Sequence, residues 1–244
     1  LEMAALLLNI ERDDEIILPS YTFVSTANAF ALRGAKLVFC DSESSFPNID
    51  ATKIESLITE KTKAIVVVHY AGFACDMKKV LSLAKKNNLF VVEDAAQAID
   101  SYYVDNSKNK IPLGTIGDFG TLSFHETKNV SCGEGGLLMV NNSKYIDQSN
   151  IILEKGTNRT TFIEGKVNKY EWVGLGSSFL PSEFTAAILY SQWKIKDKII
   201  SKRLKIWNRY HDNLVELQND NQLREIRYPL YSTNNAHMYF IITK

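Results

Sequence analysis

LFVVEDAAQ (Leu89–Gln97) and GTLSFHETK (Gly120–Lys128) decide the fold between them. Each begins as a short apolar, β-branched run and ends in a polar turn, which predicts strands over Leu89–Glu93 and Gly120–Phe124. Working outward, four more runs of this kind read as strands: Glu15–Leu18, Lys36–Cys40, Ala64–Val68 and Gly136–Val140. Helical spacing separates them. Ile54, Leu57 and Ile58, and then Met77, Val80, Leu81 and Ala84, recur at three and four and line one helix face. Strand–helix–strand units of about 25–30 residues predict βαβ crossovers, and hence an α/β fold with a mainly parallel sheet. Uninterrupted runs such as AIVVV (Ala64–Val68) fit strands covered on both faces.

The texture changes beyond Asn150. Residues 154–181 are polar and rich in glycine and read as a long loop region. From Ser182 a long helical pattern begins, with Ile200, Leu204, Trp207, Tyr210, Leu214 and Leu217 on one face. The expected division is a large domain over 1–181, followed by a linking helix and the start of a smaller α/β domain over 182–244. The chain opens LEMAALLL, without an initiator Met and already at helix periodicity. It closes AHMYFIITK inside what reads as a strand. Both ends are expected to be cut.

Composition excludes several function classes. Lys+Arg and Asp+Glu are equal at 28 each, so charge gives no reason to expect nucleic acid or an anionic membrane as partner. No apolar run approaches the roughly 20 residues of a membrane span. Cys40, Cys75 and Cys132 follow no paired spacing and read as free thiols in a reducing cytoplasm. His69 and Cys75 have no companions at metal-ligand spacing, so no metal is expected.

In open α/β sheets, ligands sit at the carboxyl ends of strands. Two ends here carry chemistry: Asp94 and Gln97 after one strand, Ser123, His125 and Lys128 after another. A lysine amine can form a Schiff base with an aldehyde cofactor. A separate carboxylate can keep a pyridine nitrogen protonated, so that the ring withdraws electrons. A serine hydroxyl can donate to the cofactor phosphate. Singly, each residue has a plainer reading: a solvated lysine, or an aspartate serving as a helix N-cap.

Taken in order, PSYTFVSTANA (19–29), VVEDAAQA (91–98), GDFGTLSFHETKN (117–129) and GEGG (133–136) resemble the DegT/StrS family of sugar aminotransferases. HYAG, EKGTNR, KYEW, GSSF and NNAHMYF further resemble its dTDP-4-amino-4,6-dideoxygalactose transaminase branch. The resemblance covers essentially the whole chain, which corresponds to the family's central part. It implies pyridoxal 5'-phosphate as cofactor and Lys128 as the lysine that bonds it and moves the substrate proton. It further implies Asp94 as partner of the pyridine nitrogen and Gln97 on the ring-hydroxyl side. Phe23 matches the aromatic that stacks on the ring, Ser123 a phosphate donor, and His125 a member of the same shell. Ser178 falls where many members carry an asparagine that reaches the neighbouring subunit's cofactor phosphate.

The resemblance also implies a cytoplasmic homodimer, a nucleotide-linked keto-deoxysugar substrate, glutamate as amino donor and a role in surface polysaccharide synthesis. Arg159, Lys155, Lys169 and Tyr170 are candidates for nucleotide contacts. GEGG suits a tight turn with positive φ and lacks the Lys-Ser/Thr ending of a P-loop. Other regiochemistry, the gluco epimer and a catalytically silent relative remain alternatives. A sugar dehydratase is disfavoured, because those members replace the lysine with histidine.

Overall fold

The computed structural model describes residues 1–219 and 223–243. Its centre is a six-stranded sheet of β1 (Glu15–Pro19), β2 (Lys36–Cys40), β5 (Thr62–Val68), β6 (Phe90–Asp94), β9 (Phe119–Ser123) and β10 (Gly136–Val140). These are the six strands expected from the sequence. The spatial order is β10-β9-β6-β5-β1-β2. All neighbours run parallel except β9 and β10, which are antiparallel.

Period-two alternation explains why apolar runs occupy the middle of this sheet. Ile16, Leu18, Val66, Val92 and Phe119 pack on one face with Ala4, Leu7 and Phe30. Their chain neighbours Ile17, Ile65, Val67 and Val91 pack on the other with Met77, Val80 and Leu83. Successive side chains point to opposite faces, so a strand covered on both sides must be apolar throughout. Helices α1 (Glu2–Leu7), α2 (Val24–Ala31) and α4 (Ile146–Leu153) supply the first cover. Helix α3 (Met77–Asn87) supplies the second. The Asp76 side chain caps α3 by accepting from Lys79 N–H at 3.1 Å. The helix stops at Asn88 in the left-handed region, φ 54°, a conformation asparagine tolerates.

The structure departs from the sequence reading in several places. Ile54, Leu57 and Ile58 frame only one 3₁₀ turn, Glu55–Leu57. Thr62 N–H donates to the Thr59 carbonyl and Thr59 N–H to Thr62 Oγ1, so a turn competes with helix extension there. Two small antiparallel pairs were not expected: β3 (Ser42–Glu43) with β4 (Phe46–Ile49), and β7 (Tyr102–Val104) with β8 (Lys110–Pro112). The loop region 154–181 contains a short helix, α5 (Arg159–Ile163). The long pattern after Ser182 divides into α6 (Glu183–Lys194) and α7 (Lys196–Asn219), broken at Ile195. Ser182 caps α6 by accepting from Thr185 N–H.

The closing segment is not a strand within the described residues. The α7 side chains take its carbonyls instead: Arg203 bonds those of Ala236 and His237, and Trp207 that of Met238. Trp207 also joins Phe46, Phe73, Tyr228 and Tyr239 in an aromatic cluster that seats α7 and residues 226–242 on the sheet domain.

Candidate cofactor site

Strands β6 and β9 are parallel neighbours, with Asp94 opposite Thr121. Their carboxyl ends, and the turns leaving them, therefore open at the same edge of the sheet. Asp94 is buried at 5% exposure. Its Oδ2 accepts from Thr26 Oγ1 at 2.7 Å and its Oδ1 from Ala96 N–H at 3.1 Å. Among the described residues no cation forms an ion pair with it. Thr26 lies in the first turn of α2, the helix that follows β1, and its hydroxyl is 2.7 Å from that of Thr22. Helix α2 thus brings the segment around Phe23 to the end of β6. Phe23 is 73% exposed, so it is not core packing.

Lys128 follows β9 on a tight turn closed by its N–H on the His125 carbonyl at 2.9 Å. Its side chain is half-buried and makes no hydrogen bond or ion pair among the described residues. Desolvation lowers the pKa of its amine, and the charge of Asp94 partly offsets that. The amine thus senses the carboxylate's charge, and both follow from the carboxyl ends of adjacent strands. An amine that loses its proton more readily is a better nucleophile toward a carbonyl.

The remaining expected residues fall into place unevenly. Ser123 Oγ accepts from His125 N–H at 3.3 Å, which leaves its own hydrogen to donate. The His125 Nδ1 lies 2.9 Å from Thr127 Oγ1 and also accepts from Thr127 N–H, so Nε2 carries the ring proton, 3.5 Å from Glu134. Gln97 Oε1 accepts from Ala71 N–H at 2.6 Å, and its amide nitrogen is then the end with donors to offer. Gly133 of the GEGG turn has φ +86°, as a tight turn requires.

Ser178 is exposed and bridges Glu154 through the backbone. No polar contact among the described residues joins it to Asp94, Ser123 or Lys128. Of the nucleotide candidates, Arg159 pairs with Glu154 at 3.0 Å and Lys169 with Glu171 at 2.7 Å. Tyr170 lies against Phe162.

Sequence reasoning missed the support beneath Asp94. One residue earlier, Glu93 is fully buried and accepts from His69 Nε2 at 2.9 Å and from the N–H groups of Gly114, Ile116 and Gly117. Burial pushes its pKa up, but His69 and these donors outweigh burial and hold it below the usual range. The His69 Nδ1 accepts from Cys75 N–H, so Nε2 is the donor. His69 is therefore spent on Glu93, and Cys75 Sγ on the Val68 carbonyl. The clue lay in two quoted motifs, HYAG and VVEDAAQA.

A buried carboxylate at one strand end, and a half-buried amine without an ion pair among the described residues on the turn after the neighbouring strand, fit a pyridoxal-phosphate site of the aminotransferase class. Residues 1–244 match the DegT/DnrJ/EryC1/StrS aminotransferase family, and the chain belongs to it. The cofactor of this family is pyridoxal 5'-phosphate. The chain is 35% identical over 218 residues to a GDP-perosamine synthase of Escherichia coli O157:H7, covering 89% of this chain and 56% of that protein. It is 30% identical to the Caulobacter vibrioides GDP-perosamine synthase, over 100% of this chain and 61% of the relative. An aminotransferase structure from Psychrobacter cryohalolentis superposes with a TM-score of 0.88 at 28% identity, over 97% of this chain and 61% of that one. The chain thus spans less than two thirds of the length of these relatives.

Proposed function

We propose that this chain is the cofactor-binding core of an aminotransferase that places an amino group on a nucleotide-linked keto-deoxysugar. One observation supports the reading: Asp94 lies buried at the end of β6, and the Lys128 turn leaves its parallel neighbour β9, with no hydrogen bond or ion pair on the amine among the described residues. When bound, pyridoxal phosphate supplies the electron sink that lets an amino group leave one carbon and join another.

The protein supplies the rest. Asp94, fixed by Thr26 and Ala96, holds the proton on the pyridine nitrogen. Phe23 offers a ring face, and Ser123 a hydroxyl for the phosphate. Gln97 turns its amide nitrogen toward the ring hydroxyl, and His125 braces the Lys128 turn. Lys128 would hold the cofactor covalently at rest and, once displaced by the incoming amine, would move a proton between the substrate carbon and the cofactor.

Glutamate is the proposed donor and a 4-keto-6-deoxyhexose the acceptor. The branch-specific motifs favour a dTDP-linked sugar and dTDP-4-amino-4,6-dideoxygalactose as product. The names of the two relatives favour a GDP-linked sugar, which is the second reading. Either product would serve surface polysaccharide synthesis in the cytoplasm, where free thiols such as the three buried here persist.

Residues 1–181 are proposed as the large domain and 182–244 as the link to a smaller one. The active form is proposed as a homodimer in which Ser178 reaches the partner's phosphate site. The apolar side chains of Trp172 and Phe184, 76% and 84% exposed, support a covered face there.

The test uses the native protein with pyridoxal phosphate, glutamate and both 4-keto-6-deoxyhexose nucleotides. A near-visible absorbance band is expected that Lys128→Ala abolishes, together with an aminated sugar identified by NMR. Absence of a lysine-dependent band would remove the assignment. The nucleotide accepted decides between the two substrates.

A further inference from the structure

NNAHMYF (234–240) enters none of the steps above, yet it lies over the site. Asn235 is fully buried. Its Nδ2 donates to the carbonyls of Gln97 and Ile99, both at 2.8 Å, in the turn that follows Asp94. Its Oδ1 accepts from His237 N–H at 3.0 Å. Its own carbonyl accepts from Asn129 Nδ2 at 2.9 Å, and Asn129 is the residue after Lys128. The Asn129 Oδ1 in turn lies 3.1 Å from His237 Nδ1. Segments more than a hundred residues apart in the chain meet on this one side chain.

The seat is shaped for it. Gly72 has φ +84°, and a Cβ there would come within 2.1 Å of Asn235 Oδ1. Aspartate in this seat would face two carbonyls without a proton to give. Glutamine would carry a methylene too many, and alanine would leave both carbonyls and the His237 N–H without this partner. From the far side, Arg203 of α7 grips the carbonyls of Ala236 and His237.

We propose that Asn235 is a positioning residue for Lys128: it fastens residues 235–237 to the turn after Asp94 and to the lysine loop, and so keeps water off the reactive amine. This rests on the role given to Lys128 above. Three charged or titratable groups act across this junction: Asp94 from β6, His237 from the fastened segment and Arg203 from α7. Burial, with the charges of Lys128 and Arg203, brings the pKa of His237 down to about 4, and the ring is joined to the residue after Lys128 by the bond between His237 and Asn129. The same dehydration lowers the pKa of Lys128. Release of the segment lets water in and removes that effect.

Competitive amine labelling of the native protein, free of cofactor, reads this directly. Acetic anhydride is applied across a pH series, and the Lys128 peptide is followed by mass spectrometry against exposed Lys110. In the wild type, Lys128 labels with a midpoint below that of Lys110. In Asn235→Ala the midpoint is expected to rise by about one pH unit, and Lys110 to stay fixed. Gly72→Ala, which crowds the carboxamide, and Asn129→Ala, which frees the Asn235 carbonyl, are expected to move it the same way and serve if Asn235→Ala does not fold. Folded variants that lose thermal stability yet keep the wild-type Lys128 midpoint would overturn the proposal. The readout needs no cofactor, so a missing absorbance band would sink the enzymatic reading alone.

Discussion

Thr26 Oγ1 donates to Asp94 Oδ2 across 2.7 Å, from the first turn of α2 to the end of β6. The bond is buried at both ends and fixes one carboxylate oxygen. Thr26→Val keeps the shape and removes the donor. A lost bond to a charged group is expected to cost about 1.5–3 kcal/mol, read by urea unfolding. Cofactor affinity should fall as well, since the carboxylate is no longer held.

Phe23 gives the opposite pattern. It is a large apolar side chain in solvent, so Phe23→Ala should change stability by no more than about 0.5 kcal/mol. Cofactor affinity, measured by titration of the absorbance band, should drop, and Phe23→Tyr should restore it. Equal affinities in all three proteins would remove Phe23 from the site.

The Glu93–His69 pair governs acid stability. The pKa of folded Glu93 is depressed, so its contribution is present above the unfolded value near 4.5 and is lost as pH falls through the folded value. Glu93→Gln presents an amide to N–H donors that need acceptors. The loss at neutral pH should be about 3–5 kcal/mol, with a shallower acid limb than wild type in denaturant melts across pH.

His237 acts over a higher window. Its pKa falls from 6.5 unfolded to about 4 folded. Between those values the unfolded chain binds more protons, so stability decreases as pH is lowered from 6.5 toward 4 and levels off below. A shift of this size corresponds to about 3–4 kcal/mol at most. His237→Asn cannot take the proton, and its stability profile should be flatter in that window alone.

Phe184→Lys tests the exposed apolar face. Analytical ultracentrifugation is expected to show the proposed dimer for the native protein and monomer for the variant. Its far-UV circular dichroism should stay unchanged. A dimer of unaltered affinity would exclude this face as the contact.

How legible all this was depended on the range of each interaction. β2 and β10 match the expected ends residue for residue, and the other main strands differ by one or two, because local apolar runs report burial on two faces. Asp94 and Lys128 stood out as polar residues at the ends of such runs, and the structure places them at and after the ends of adjacent strands. The β7–β8 pair was not, since its strands are three residues each in a polar stretch turned at Asp105–Asn109. The Ile54–Ile58 spacing was misread as helix, because periodicity cannot see the Thr59–Thr62 turn that stops it. The Glu93–His69 bond crosses between parallel strands, and the Asn235–Gln97 bond spans most of the chain. Neither leaves a spacing to read, so both were visible only as unexplained motif letters.

The direct lateral pairing of β6 with β9 has one more consequence. The end of β6 that carries Asp94 and the end of β9 that leads to the Lys128 turn are held side by side by the fixed distance between neighbouring strands, and not by the chain between positions 94 and 128. The outer part of the intervening stretch, around the turn at 105–109, can therefore lengthen or shorten over generations without retuning the chemistry. Natural variation in loop size should accumulate there, while the two strand ends keep step with each other.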